Sequence, residues 1–437
     1  MSFMAPDATA KLLEWAGARH VLPADVRGDA VRLLGDTLAI GAAAVDAPGE
    51  AQILQAARSF GAGEGARLLG TVERLPAPSA AFVNGYRVHC LEWDAVHEPA
   101  VVHVMSVVTA ALGAALDRRA AKGNSCDPEE ALAALAIGVD IASGLGLSVD
   151  SAMSFFRPAV CGIMGAAVAV ARIDNAPLDN ALGLAYSSAA GTMQAHVEGS
   201  ETLPFQIANA ARAAVMASDL AGTGFSGPKN PLEGPFGYYA LFEDGALETY
   251  TRDLGTIWRI SEVSTKPFPS GRASHAALGK LNALALNPEQ IAQIELACPP
   301  LIRRLVDRAY LPDMTAAWAR LCMPFLAALM LTDGRIDPRR FTPEDIADPA
   351  LAAIAVKVCL TDDGNQDGNA LFPQMLTITA ADGAVVEHLV EHTLGSPDNP
   401  LTADQTNAKL SLAQELAPAD ADPRIFDNPL AYFTDIA

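Results

Sequence analysis

The sequence predicts a mainly α protein, a large all-helical domain joined to a smaller α+β lid domain. Three observations carry this. Hydrophobic residues make up 51% of the 437 residues, yet aromatics only 6% and charged residues 19%. A core built from Ala, Leu and Val follows, and Ala and Leu are the strongest helix formers. Apolar positions recur at helical spacing up to about residue 260. Beyond it the texture turns to alternating runs, and Asp382-Gly383 between two of them is the strongest short hairpin signal. A chain this long exceeds what one core fills.

The elements follow in order. Residues 25–44 carry apolar positions at helical spacing. A second helix begins at Asp127 as N-cap, with Pro128 at the first turn and Glu130 three residues on, a capping-box arrangement. Residues 208–224 place small residues on every face, as in a helix buried inside a bundle. Residues 291–299, 353–363 and 374–390 read as strands. "NPEQ" (287–290) and "TPED" (342–345) read as helix starts. The expected division is therefore 1–265 helical, 266–395 α+β, and a turn-rich linker from 395 into a final helical stretch, 396–437.

Composition excludes several classes. A net charge of −21 with no basic patch argues against nucleic-acid binding. The six cysteines are scattered without a CxxC pair and read as reduced, buried thiols. The apolar runs near 131–149 and 158–172 are interrupted by Asp140 and by Cys and Gly, so no membrane span is expected. The N-terminus lacks a signal-peptide pattern, and a cytoplasmic location is the expectation. No GxSxG elbow, HExxH or Walker loop occurs, and no histidine pair within residues 84–106 has the i, i+4 spacing of a helical zinc site. Neither metal nor cofactor is expected.

Four segments can carry chemistry. In 84–106 the acids Glu92 and Asp94 and the histidines His89, His97 and His103 gather within a short stretch, and His89 and Glu92 share a helix face. Spacing alone leaves open a helix rim with solvated acids and a core histidine. In 265–275, Lys266, Arg272 and His275 fall in a Pro/Gly-braced loop where the composition shifts, a setting suited to carboxylate binding or to a basic linker. In 154–167, Arg157 is an anion clamp or a surface charge. Residues 196–211 read as a connector entering a helix.

Taken together and in order, these segments resemble the MmgE/PrpD family. The resemblance rests on Asn84-Gly85, His89 through His97, His103, "FFRPAVCGIMGAA", "LAGTGFSGPKNPLEGPFG", "KPFPS" with His275, "LCMPF" (321–325) and "GSPDNPLTADQTNAKL". It implies a helical domain completed by the C-terminal segment and a smaller α+β lid. It also implies a cofactor-independent homodimer that binds small carboxylates between the domains. The family chemistry it implies is proton abstraction beside a carboxylate, followed by loss of water or CO2; an epimerase or a non-catalytic binding member are the alternatives. On this resemblance Asp94, His103 and Lys266 are the expected catalytic residues. His89, Glu92, His97, Arg157, Arg272 and His275 are the expected substrate-binding ones.

The chain departs from the family pattern at Glu92, Val96, Val104-Met105, Phe156, Leu203 and Phe325. Several polar groups have become apolar together, which points to a less charged substrate or an altered activity.

Overall fold

The computed structural model describes residues 7–63 and 65–435. Long helices at Ala24–Ala43, Ala77–His89, Val104–Ala121, Pro128–Leu147, Arg157–Asp174 and Thr202–Gly222 pack into one bundle. Small residues let them approach closely. A Cβ placed on Gly165 would lie 2.2 Å from the Gly138 carbonyl oxygen, so the Pro128–Leu147 and Arg157–Asp174 helices touch through backbone. The helical part also contains a two-residue ribbon, β1 (Ala66–Arg67) with β2 (Arg74–Leu75). The Pro128–Leu147 helix, contrary to the reading of its apolar run, is long and apolar enough to cross a membrane, but 89% of its apolar window is buried inside the bundle.

Local signals explain most boundaries. The Asp127 side chain accepts from the Glu129 N–H at 2.8 Å, starting the Pro128–Leu147 helix. Glu130, the expected partner in a capping box, instead receives Arg172 Nε at 2.7 Å. The Thr202–Gly222 helix starts six residues before the expected 208, so most of the supposed connector is helical. A true capping box stands at Thr402 and Gln405, opening the Ala403–Leu416 helix.

The second part centres on a four-stranded sheet of order β4-β3-β5-β6: β3 Ile291–Cys298, β4 Val358–Asp362, β5 Gln374–Ala380 and β6 Val385–Val390. β3 pairs parallel with β4, placing Leu296 beside Leu360, and antiparallel with β5. The hairpin from β5 to β6 turns at Gly383, whose φ of +87° suits glycine. Ile294, Leu296, Leu376 and Ile378 are buried on the face toward the helices His275–Leu284 and Met323–Asp333. Two sequence readings change here. "NPEQ" forms a single 3-10 turn leading straight into β3, and residues 353–355 finish the Pro349–Ala355 helix before β4 begins.

The last helices return to the bundle. Ala403–Leu416 packs on Ala24–Ala43, and Lys409 sits 2.5 Å from Asp36 across that contact. The crossing from bundle to sheet domain runs through Ser264–Lys266. Ser264 exchanges two backbone hydrogen bonds with Val96, at 3.0 and 2.8 Å. That ladder fastens the 91–103 segment to the domain junction.

Candidate active site

The Ala77–His89 helix ends at Cys90, and the chain loops through residues 91–103 before the next helix starts at Val104. This loop is bent against its preferences: Glu92 and Val101 both hold φ of +54°. Non-glycine residues pay about 1–2 kcal/mol for that conformation, and such strain concentrates at functional sites. The bend aims the Glu92 carbonyl at Lys266 Nζ, which donates to it at 2.9 Å and to Glu92 Oε2 at 3.2 Å. Behind the loop, Lys409 Nζ donates to the Trp93 carbonyl at 3.3 Å.

Asp94 is the centre of the arrangement and is fully buried. One of its oxygens, Oδ2, lies 2.9 Å from His89 Nδ1 and 3.0 Å from His103 Nδ1, and also accepts the Ser106 hydroxyl. Lys266 Nζ stands 3.8 Å from the other oxygen. The two imidazoles meet edge to face with centroids 4.8 Å apart. His89 Nε2 faces Glu92 Oε1 at 3.6 Å.

Charge states follow from this geometry. Burial opposes ionisation of Asp94, but the two histidines outweigh it and hold its carboxyl well below the usual range. Burial likewise opposes Glu92, and Lys266 with the histidines pulls it down to about 2. His89 would be lowered by burial, yet Asp94 and Glu92 raise it above the ordinary histidine value. For His103 burial wins over Asp94, and the ring is held below that value. One histidine therefore favours the cation and its neighbour the neutral base. His103 Nδ1 lies 3.0 Å from Asp94 Oδ2 without hydrogen-bond alignment, and Nε2 is the His103 nitrogen turned away from that carboxylate.

His89, Glu92 and His103 border a cavity of about 70 Å³. Its other walls are mostly apolar, among them Val96, Met153, Phe156, Met193, Leu203 and Leu371. His196 also lines it; burial lowers this ring to about 4, and its Nε2 has no hydrogen-bond partner. A second, smaller chamber shares His89, Glu92 and Leu203 with the first and is closed on its far side by Tyr86, Cys90 and Arg320.

Ligand atoms of His89, Asp94 and His103 all lie within 4.8 Å of one another, close enough to surround a metal ion. The Lys266 ammonium, 3.8 Å from Asp94, already supplies positive charge there. The imidazole-carboxylate separations are those of hydrogen bonds, and the set fits a proton relay better than a cation cage.

The structure thus brings together Asp94, His103, His89, Glu92 and Lys266. Lys266 is completely buried behind Glu92 and lines neither chamber. The other expected residues have different partners. His97 Nε2 pairs with Glu262 at 3.0 Å and its Nδ1 accepts the Ala100 N–H, facing away from the cavity. Arg157 is locked to Glu243 at 2.7 Å and to the Ser151 carbonyl. Arg272 borders the cavity, but its guanidinium is occupied by Glu98 at 2.7 Å and the Leu394 carbonyl at 2.6 Å. His275 is buried against Ser270 and lies near Arg272, and burial and that guanidinium keep it neutral, well below the usual histidine range. Of these four, only Arg272 keeps an unpartnered nitrogen, its buried Nε, and its two terminal nitrogens are taken.

Three residues escaped sequence reading. His196 sat in the segment taken for a connector. Arg308 and Arg320 belong to no recognisable motif, although Arg320 directly precedes "LCMPF". Arg308 donates to the His196 carbonyl and stacks over Trp318, with its ring-to-cation distance 4.7 Å. Arg320 is buried, stacks at 4.9 Å over Phe341, and has no ion pair or side-chain hydrogen bond among the described residues.

The chain matches the models of the MmgE/PrpD N-terminal domain over residues 16–249 and the MmgE/PrpD C-terminal domain over 268–426. It is 24% identical over 428 residues to a cis-aconitate decarboxylase of Aspergillus terreus, covering 89% of this chain and 85% of the relative. It is 26% identical to the human cis-aconitate decarboxylase, over 77% of this chain and 72% of the relative. A cis-aconitate decarboxylase-like protein of Aspergillus oryzae is 25% identical over 98% of this chain and 95% of its own length.

Proposed function

The chain belongs to the MmgE/PrpD family, and on that premise we propose that it is a lyase that removes a proton beside the carboxylate of a small organic acid and then expels CO2 or water. The relatives named as decarboxylases support the lyase class. The observation that carries the reading is the single Asp94 oxygen shared by two imidazoles of opposite protonation tendency beside an apolar cavity.

Neutral His103 takes the proton at Nε2, and Asp94 orients the ring and stabilises the imidazolium that forms. The electron pair left on carbon delocalises toward the adjacent carboxylate. His89, favouring its cationic form, supplies positive charge where the negative charge develops. If hydroxide leaves, it combines with the transferred proton as water. If CO2 leaves, His103 first returns its proton to another carbon of the conjugated chain, the C–C electron pair then stays on the carbon that loses CO2, and a second proton drawn from solvent quenches it. Lys266 keeps Glu92 ionised throughout, as the two histidines do Asp94.

The test is incubation with small unsaturated and hydroxylated acids in D2O, starting with cis-aconitate, followed by NMR and CO2 detection. Deuterium uptake at the carbon beside the carboxylate, together with release of CO2 or water, is the expected result. Exchange without release would replace lyase chemistry by isomerisation. Absence of exchange and release across the panel would overturn the reading.

A further inference from the structure

We infer that the substrate carries one carboxylate and an apolar substituent, the carboxylate seated on Arg320 and the substituent in the larger chamber. This rests on the site being the lyase centre proposed above. The larger chamber is walled by Val96, Met153, Phe156, Leu203, Leu305 and Leu321. Among the described residues its one lining Lys or Arg is Arg272, whose two terminal nitrogens are already committed to Glu98 and two carbonyls, with only its buried Nε left unpartnered. A second or third carboxylate placed there would lose its hydration with only His89, already shared with Asp94, to offset it.

The smaller chamber differs. Arg320 lines it together with Glu92 and Glu201 but forms an ion pair with neither among the described residues, Glu92 being held by Lys266. Its Nε is buried without a partner. An unpaired buried guanidinium is a planar receptor for one carboxylate. The chambers share His89, Glu92 and Leu203 as a common wall. A molecule straddling that wall puts its carboxylate toward Arg320 and its alkyl part among the apolar side chains. The C–H bond next to the carboxylate then falls against His89 and His103, whose rings are 4.8 Å apart.

The test is calorimetric binding at pH 7 to the whole protein, with trans-2-hexenoate, butenedioic acid and cis-aconitate as probes. Hexenoate is expected to bind at least tenfold more tightly than either polycarboxylate. Arg320→Gln is expected to weaken hexenoate at least tenfold, and Leu203→Lys to shift preference toward the dicarboxylate. Wild-type binding of cis-aconitate equal to or tighter than hexenoate overturns the inference, whatever the variants do. Hexenoate affinity unchanged in a folded Arg320→Gln protein overturns the anchor. Because binding is read without turnover, tight hexenoate binding with no proton exchange on any acid would sink the lyase reading instead. Turnover of cis-aconitate with weak hexenoate binding would keep the lyase and discard this substrate class.

Discussion

Two buried charge clusters in this molecule look alike in sequence and differ in what they leave unspent. Arg157 with Glu243 is closed: the guanidinium meets the carboxylate at 2.7 Å, and Ser151 fills a remaining acceptor or donor. The Asp94 cluster is open. Three groups crowd one oxygen; Oδ1, His89 Nε2 and His103 Nδ1 have no hydrogen-bond partner among the described residues; and the loop between the two rings adopts left-handed backbone at Glu92 and Val101. Closed pairs hold a fold together; a cluster with unspent donors and acceptors beside a cavity is equipped to act on something else. The Arg272 and Glu98 pair, at 2.7 Å, belongs with the first kind although it borders the cavity.

The sharpest way to break this contrast is to truncate the open cluster. His103→Ala should lower kcat by about 10²–10⁴-fold, the usual contribution of a general base, with little change in melting temperature. Asp94→Asn should do the same by disordering the ring and its tautomer. Steady-state rates with whichever acid the panel identifies would show it; a loss below tenfold would return His103 to a structural role.

The converse prediction concerns the closed pair. Arg157→Met strands Glu243 in the interior and should cost about 3–5 kcal/mol of stability. The kcat of the folded fraction should not change. Replacing both partners with apolar residues should recover much of the loss. Urea denaturation beside rate measurements distinguishes the outcomes, and a kcat that falls while stability holds would move Arg157 into the site.

pH separates the two imidazoles. His103 must be neutral to take a proton, and burial sets its pKa below 6.5. The acid limb of kcat/KM should therefore have its midpoint below 6.5, with activity lost as pH falls through it. His89 is raised above 6.5, so the carboxylate and its two rings titrate as a coupled set. A limb centred above 6.5 would exchange the roles of the two histidines.

Much of the fold was legible because its signals are local. Asp382-Gly383 announced the β5–β6 turn, and the spacing of Ala and Leu announced the bundle. "NPEQ" misled because a cap followed by proline starts a 3-10 turn as readily as a helix, and strand pairing with β4 and β5 then took over. Of the site, the part lying within residues 89–106 could be read, since three histidines and three acids fall in that short stretch. What the sequence hid is neutralisation at a distance. Glu243 is 86 residues from Arg157, and Glu98 is 174 residues from Arg272, so nothing local shows that these guanidiniums are spent. The same distance concealed Arg320, which carries weight only because, among the described residues, no carboxylate pairs with it.

The most direct test of the relay is the protonation of His103 itself. Nitrogen-15 NMR of histidine-labelled protein, assigned with His103→Gln and His89→Gln, reports the state of each ring nitrogen. The account predicts that at pH 7 His103 is neutral, with its proton on Nδ1 toward Asp94 and a bare Nε2, while His89 titrates above it. A His103 that is cationic at pH 7, or that carries its proton on Nε2, would contradict it.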